Sequence, residues 1–296
     1  MLYRQKQWRK LMQNEANTLI TEFLNVLNNP PPEGKKKEVY VQEFLEANSQ
    51  LIPIYNRLNH PLHFNMVLSK FPISKDLIPD FTYITKSSTK WVITFVELES
   101  PDKKMFKRTT GQVDTHSNYT QAKNQINSWK LYLNNNKDAF IKSIIDLLEP
   151  AALRDNPCEF KYMLIYGRSK EKEASSRFTE YIAREESETG IDILTYDSII
   201  TNYQSGSSHE KDIVKYSNGQ FKFKRMNTAN TYILGFLNND KFYLTDQQKE
   251  TLKNNGYQID SWDDGELLKA GFGKYVSSRE ENVDVIKNYI ERSIKK

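Results

Sequence analysis

The sequence predicts an α/β protein: a mixed sheet flanked by helices, with a small α+β region at the C-terminal end. Three observations predict it. Short runs rich in β-branched and aromatic residues alternate with segments whose apolar residues recur every three or four positions. One run, residues 91–96, is apolar on both faces apart from Thr94, as expected of a central strand covered on both sides. Hydrophobic residues make up 38% of the chain, enough for a real core and too many for global disorder.

The elements follow in order. Trp8, Leu11, Met12, Ala16, Leu19, Ile20, Phe23 and Leu27 share one face of a helix over residues 8–27. Three prolines and three lysines within residues 28–37 stop it and read as a linker. A second helix over 38–48 buries Val41, Phe44 and Leu45. Residues 78–85 and 91–98 have strand character, and the short polar stretch 86–90 suits a hairpin loop, so the two strands are expected to be antiparallel neighbours. Tyr119, Ala122, Ile126, Trp129 and Leu133 mark a helix that the asparagines at 134–136 end, with a further helical segment at 139–148. A strand at 160–166 closes at Gly167, residues 178–188 are helical, and 191–196 form another short strand. Residues 203–210 read as a linker. Short strands at 231–237 and 241–244 follow, then a last helix with Val283, Ile286, Ile290 and Ile294 on one face. The expected organisation is an N-terminal helix in residues 1–30, a main domain in 38–204 and a C-terminal region in 211–296.

Composition excludes several classes of function. The single cysteine, Cys158, rules out an internal disulfide and a cysteine zinc site. The four histidines lack metal-binding helix spacing, since Pro61 separates His60 from His63. Residues 1–10 are charged and lack the apolar stretch of a secretory signal, and no window approaches eighteen consecutive apolar residues. A cytoplasmic protein with no membrane partner is expected. The net charge of +4 permits a polyanionic partner without arguing for one. The basic clusters Lys35-Lys36-Lys37, Lys103-Lys104 and Lys107-Arg108 are short, of the kind usually found on solvated surface.

Acid placement is the informative feature. Asp80 follows Pro79 at the start of one strand, and Glu97 and Glu99 end its expected partner. Side chains alternate along a strand, so Glu97 and Glu99 point to the same face as Ile93 and Phe95. A Glu-x-Glu at a strand end is ordinarily solvent-facing. Set against a core, however, like charges are costly unless a cation or a basic group compensates them, and clustered carboxylates suit Mg²⁺ or Mn²⁺.

The order Pro79-Asp80, hairpin, Glu97-Leu98-Glu99 resembles the PD-(D/E)xK nuclease core, a restriction-endonuclease-like mixed sheet flanked by helices. More closely, residues 38–197 resemble the nuclease domain of the Shedu family of bacterial anti-phage defence proteins. The segments Gln42-Glu43-Phe44-Leu45-Glu46-Ala47-Asn48, Leu77-Ile78-Pro79-Asp80-Phe81, Phe95-Val96-Glu97-Leu98-Glu99-Ser100-Pro101 and Ala122-Lys123-Asn124-Gln125-Ile126-Asn127-Ser128-Trp129 are similar to that family's. So are Tyr166-Gly167-Arg168 and Thr195-Tyr196-Asp197, in that order along the chain.

The resemblance implies a divalent-metal-dependent DNA endonuclease using Mg²⁺ or Mn²⁺. Asp80 and Glu97 would hold the metal, Glu38 would add a ligand directly or through water, and Gln125 would orient the attacking water or a phosphate. Glu99 stands where the general pattern has lysine, which leaves it a general base or second-metal ligand, with Lys103 or Lys104 as sources of positive charge. Lys103, Lys104, Lys107 and Arg108 would meet the DNA backbone. Trp129 and Tyr119 are expected in the core. The resemblance also implies a homo-oligomer, dimer or tetramer, and a phage-derived trigger. The competing expectation is a catalytically inactive nucleic-acid-binding or phage-sensing module on the same fold.

Overall fold

A computed structural model describes residues 2–107, 112–206, 209–227, 232–271 and 274–277. Among these residues eight strands form one sheet in the order β5-β4-β3-β2-β1-β6-β7-β8. They are β1 Met66–Ser69, β2 Phe81–Lys86, β3 Trp91–Leu98, β4 Cys158–Ile165, β5 Ile191–Leu194, β6 Asp212–Ser217, β7 Gln220–Arg225 and β8 Phe242–Tyr243. The helices are α1 Leu2–Asn28, α2 Lys37–Ala47, α3 Ser117–Ser143, α4 Ser169–Lys172, α5 Ser176–Thr189, α6 Tyr196–Gln204, α7 Asp246–Asn254 and α8 Ile259–Asp263. The expected mixed α/β sheet flanked by helices is present.

β3 is buried along its whole length, as its sequence predicts. It pairs antiparallel with β2 and parallel with β4. Its alternation feeds two cores: Trp91, Ile93 and Phe95 pack with Ile126, Trp129 and Phe140 of α3, whereas Val96 and Leu98 pack with Phe23 of α1, Leu45 of α2 and Ile199 of α6. Phe95 alone lies 5.4 Å from Phe140 and 5.8 Å from Tyr162, ring centre to ring centre. Burying a ring of this size contributes about 2–3 kcal/mol. Tyr119 and Trp129 are fully buried core residues, as expected.

Three sequence expectations need correction, and two features were not foreseen. The asparagines at 134–136 do not end α3. Asn136 leaves helical geometry (φ −130°), but its Nδ2 donates to the Tyr132 carbonyl at 3.0 Å, and the helix resumes with Phe140 on the same buried face as Leu133. Residues 231–237, expected as a strand, carry a 3₁₀ turn over Tyr232–Gly235 because Ile233, Leu234 and Leu237 are buried together with no two-residue alternation. The strand expected at 241–244 is reduced to β8. The short strand β1 and the β6–β7 hairpin were not expected at all; Asn218 (φ 55°) and Gly219 (φ 82°) make its turn, and Asn-Gly is a strong hairpin signal. The expected last helix through Val283 and Ile294 lies outside the described residues.

β6 pairs parallel with β1, Leu68 opposite Val214, so the C-terminal chain enters the same sheet. Their seam holds buried polar groups. Glu46 of α2, 1% exposed, accepts from Ser69 Oγ at 2.6 Å and pairs with Lys224 of β7 at 2.7 Å. Lys211, 2% exposed, donates from Nζ to the carbonyls of Ser49 and His209, both at 2.8 Å. Asn227 Nδ2 donates to Ser49 Oγ and the Lys211 carbonyl, and its N–H to Asp212 Oδ1. Burial pushes the Lys211 ammonium down to about 7.

Candidate active site

The loop from β1 to β2 and the end of β3 bring the acids together. Asp80 precedes β2, and its Oδ2 accepts from the Leu98 N–H at 2.7 Å, which ties it to the end of β3. Its carbonyl accepts from Gln42 Nε2 of α2 at 3.3 Å and from the Lys70 N–H at 3.1 Å. Glu97 is on the α3 side of β3, where Gln125 Nε2 of α3 donates to its Oε1 at 2.6 Å. Its Oε2 is buried with no hydrogen-bond partner among the described residues. Glu99 lies just past the strand and pairs with Lys103, whose Nζ also meets Glu38 Oε1 at 3.0 Å. Glu38 is in the first turn of α2, where the helix dipole favours negative charge.

The four acids sense one another. Burial, then the nearby Asp80 charge, pushes the Glu97 carboxyl up to about 9, with Lys70 and Gln125 opposing. Asp80 is raised by burial, against the Lys70 ammonium that pairs with its Oδ1. Glu99 is raised by burial and by Glu38, with Lys103 opposing. Burial works against the Lys103 ammonium, but its bonds to Glu99 and Glu38 outweigh that and hold its pKa above the ordinary value. Tyr196 is buried close to all four acids and donates from its hydroxyl to the Glu99 carbonyl at 2.6 Å. Burial and those four charges hold its phenol well above the usual range.

Two residues of this cluster carried no sequence expectation as site residues. Tyr196 was legible only as part of Thr195-Tyr196-Asp197. Lys70 follows a strand that the sequence did not announce, and its φ of 52° is unusual for a lysine.

The basic loop after β3 borders a cleft of ≈ 950 Å³ lined by Lys103, Lys104, Lys107, His116, Arg168 and Lys170 among others. Gly167 sets the loop's position: its φ is 59°, and a Cβ there would lie 2.8 Å from the Lys103 carbonyl. Only glycine suits both conditions. Arg168 is held by Asp197 and donates to Asn28 Oδ1 of α1 at 2.6 Å. Arg108 lies outside the described residues.

Among the described residues no three His, Cys, Asp or Glu side chains form a ready-made cage. The donor chemistry nevertheless fits a hard divalent ion: Glu97 Oε2 is an orphaned, buried carboxylate oxygen, its neighbour Asp80 is also an oxygen donor, and Glu38 lies close enough to act on Asp80.

Fold and cluster together define an α/β protein with an acid-rich, lysine-bridged site at one end of its central strands. The chain belongs to the Shedu family, whose model for the C-terminal part of the Shedu protein SduA matches residues 35–200. Membership places it with anti-phage defence proteins. No curated protein matches the chain. No helix among the described residues is long and apolar enough to cross a membrane.

Proposed function

We propose that the chain is a metal-dependent DNA endonuclease of anti-phage defence, acting on a phosphodiester at the Asp80–Glu97–Glu99 cluster. One observation carries the reading: among the described residues Glu97 has an unpartnered buried oxygen, in a cluster of four acids that share two lysines. Structural ion pairs are balanced; this cluster has a surplus of negative charge that a divalent cation relieves.

Asp80 and Glu97, with Glu38 beside them, are the residues to hold Mg²⁺ or Mn²⁺. Such an ion, when held there, would supply Lewis-acid chemistry, lowering the pKa of water and offsetting charge on the phosphate. Gln125 positions Glu97 through its 2.6 Å bond. Glu99 takes the proton from the attacking water as its oxygen bonds to phosphorus; the ester P–O bond breaks, and the departing oxygen takes a proton from solvent. Lys104 and Lys107 line the cleft beside Lys103 and neutralise phosphates along the backbone. DNA is the expected partner, with a homo-oligomer and a phage-derived trigger as further proposals.

A second reading is favoured by the lysine pairs themselves. Lys70 and Lys103 already partner three of the acids, as they would in a binding module that does not cut DNA. Purified protein incubated with plasmid and linear DNA in Mg²⁺, Mn²⁺ or EDTA separates the two. Cleavage that requires metal and disappears in Asp80→Ala supports the nuclease; tight DNA binding in EDTA without cleavage on any DNA form supports the binding module.

A further inference from the structure

We infer that Lys70 is the residue that meets the scissile phosphate in this chain, released to it when a divalent cation takes its place at Asp80. The inference rests on the nuclease reading. A phosphodiester site needs a positive side chain to offset charge on the non-bridging oxygens. At the strand position two residues beyond Glu97 the chain has Glu99, which cannot supply one. The charge must come from another element.

Among the described residues two lysines reach the cluster, and their bonding separates them. Lys103 is bound to both Glu38 and Glu99. A cation held by Asp80 and Glu97 can draw Glu38 in through Oε2, because Lys103 binds Glu38 at Oε1, so both Lys103 bonds persist and Lys103 stays where it is. Lys70 has one ion-pair partner among the described residues, Asp80 Oδ1. The other Asp80 oxygen is fixed by the Leu98 N–H, so Oδ1 is the atom open to a cation, and the ion that takes it displaces Lys70. The freed ammonium remains near Glu97, whose carboxyl already feels its charge. The Lys70 side chain is half exposed, which leaves it free to swing toward solvent and an incoming strand.

The backbone adds an independent mark. Lys70 sits at φ 52°, a region where glycine or asparagine is at ease and a lysine is strained. Its N–H is held there by the Asp80 carbonyl at 3.1 Å. A salt bridge on an ordinary surface does not call for a left-handed lysine. Here the backbone turn directs the side chain at the acid cluster.

Lys70→Gly removes the ammonium while suiting the backbone, so the variant folds. Ca²⁺ supports binding without cleavage in such a test, and three quantities are read: Ca²⁺ affinity by calorimetry, affinity for a short duplex in Ca²⁺, and cleavage in Mg²⁺. The expected result is Ca²⁺ affinity kept or tightened, duplex affinity weakened about tenfold, and cleavage reduced at least about a hundredfold. Lys70→Arg is expected to restore most of the duplex affinity. If Ca²⁺ affinity falls together with cleavage, Lys70 only positions Asp80 and the inference is overturned. Duplex affinity unchanged in Ca²⁺ overturns it as well. Wild-type protein that binds DNA in Ca²⁺ but never cuts it sinks the nuclease reading alone, and the duplex-affinity comparison still decides the role of Lys70.

Discussion

Two buried polar clusters lie at either side of β1. At the β1–β6 seam, Glu46, Ser69 and Lys224 pair with one another, and the Lys211 ammonium finds two carbonyls. At the end of β2 and β3, among the described residues, four acids share two lysines and one carboxylate oxygen has no partner. Both are costly to build, since burying charge is unfavourable without compensation. The seam is compensated by this chain's own groups. In the acid cluster the acids outnumber the lysines among the described residues, and that imbalance is what the proposed cation would relieve.

Neutralising substitutions should therefore have opposite consequences in the two places. In the acid cluster, Asp80→Asn or Glu97→Gln is expected to reduce cleavage by about 10²–10³-fold while leaving the urea midpoint unchanged or higher, because like-charge repulsion is relieved. Equal loss of stability and activity would show the cluster to be structural. At the seam, Lys224→Met should cost about 1–2 kcal/mol in urea unfolding, since it leaves the buried Glu46 carboxylate with Ser69 as its side-chain donor and Lys224 is itself partly solvated, and cleavage per folded molecule should persist. The double variant Glu46→Gln/Lys224→Met should recover much of that loss, which a double-mutant cycle measures directly.

Gly167→Ala tests whether the cleft's basic loop depends on the close approach to Lys103. A loss of about 1–3 kcal/mol is expected from the left-handed backbone and the contact, with duplex affinity falling as well. Unchanged affinity would separate the loop from DNA binding.

The two clusters should also respond to pH with opposite sign. Glu97 at about 9 lies above its ordinary 4.5, so the folded chain holds a proton that the unfolded chain releases. Metal-free stability then falls as pH rises from 4.5 toward 9, and the raised Asp80 and Glu99 act in the same direction. Lys211 at about 7 lies below its ordinary 10.5, so the folded chain lacks a proton that the unfolded chain keeps, and this contribution rises between 7 and 10.5. Thermal melts in EDTA across this range should show the fall flattened in Glu97→Gln and the rise removed in Lys211→Met. The smallest effect is expected for Lys104→Ala: a few-fold weaker DNA binding, with the salt slope reduced by about 1.

The central hairpin and its acids were legible because β3 is apolar on both faces, so Glu97 stands out against its context. Gln125 was legible from the resemblance that also brought Glu38 into view. Lys70 was not, because nothing in Ser69-Lys70-Phe71 distinguishes an ordinary surface lysine from one paired with Asp80. The seam was equally hidden. Its partners Glu46, Ser69 and Lys224 are far apart along the chain, and only the parallel pairing of β1 with β6 brings them together.

That pairing has a consequence for the order in which the protein is made. A ribosome that has released the chain only as far as α6 has already supplied every acid of the cluster, yet β1 is still an open sheet edge. The strand that leads into Lys70 gains its second neighbour only when residues 212–214 emerge. Completion of the sheet around the site thus waits on late synthesis, and a fragment ending near residue 206 should aggregate through that edge where the longer chain does not.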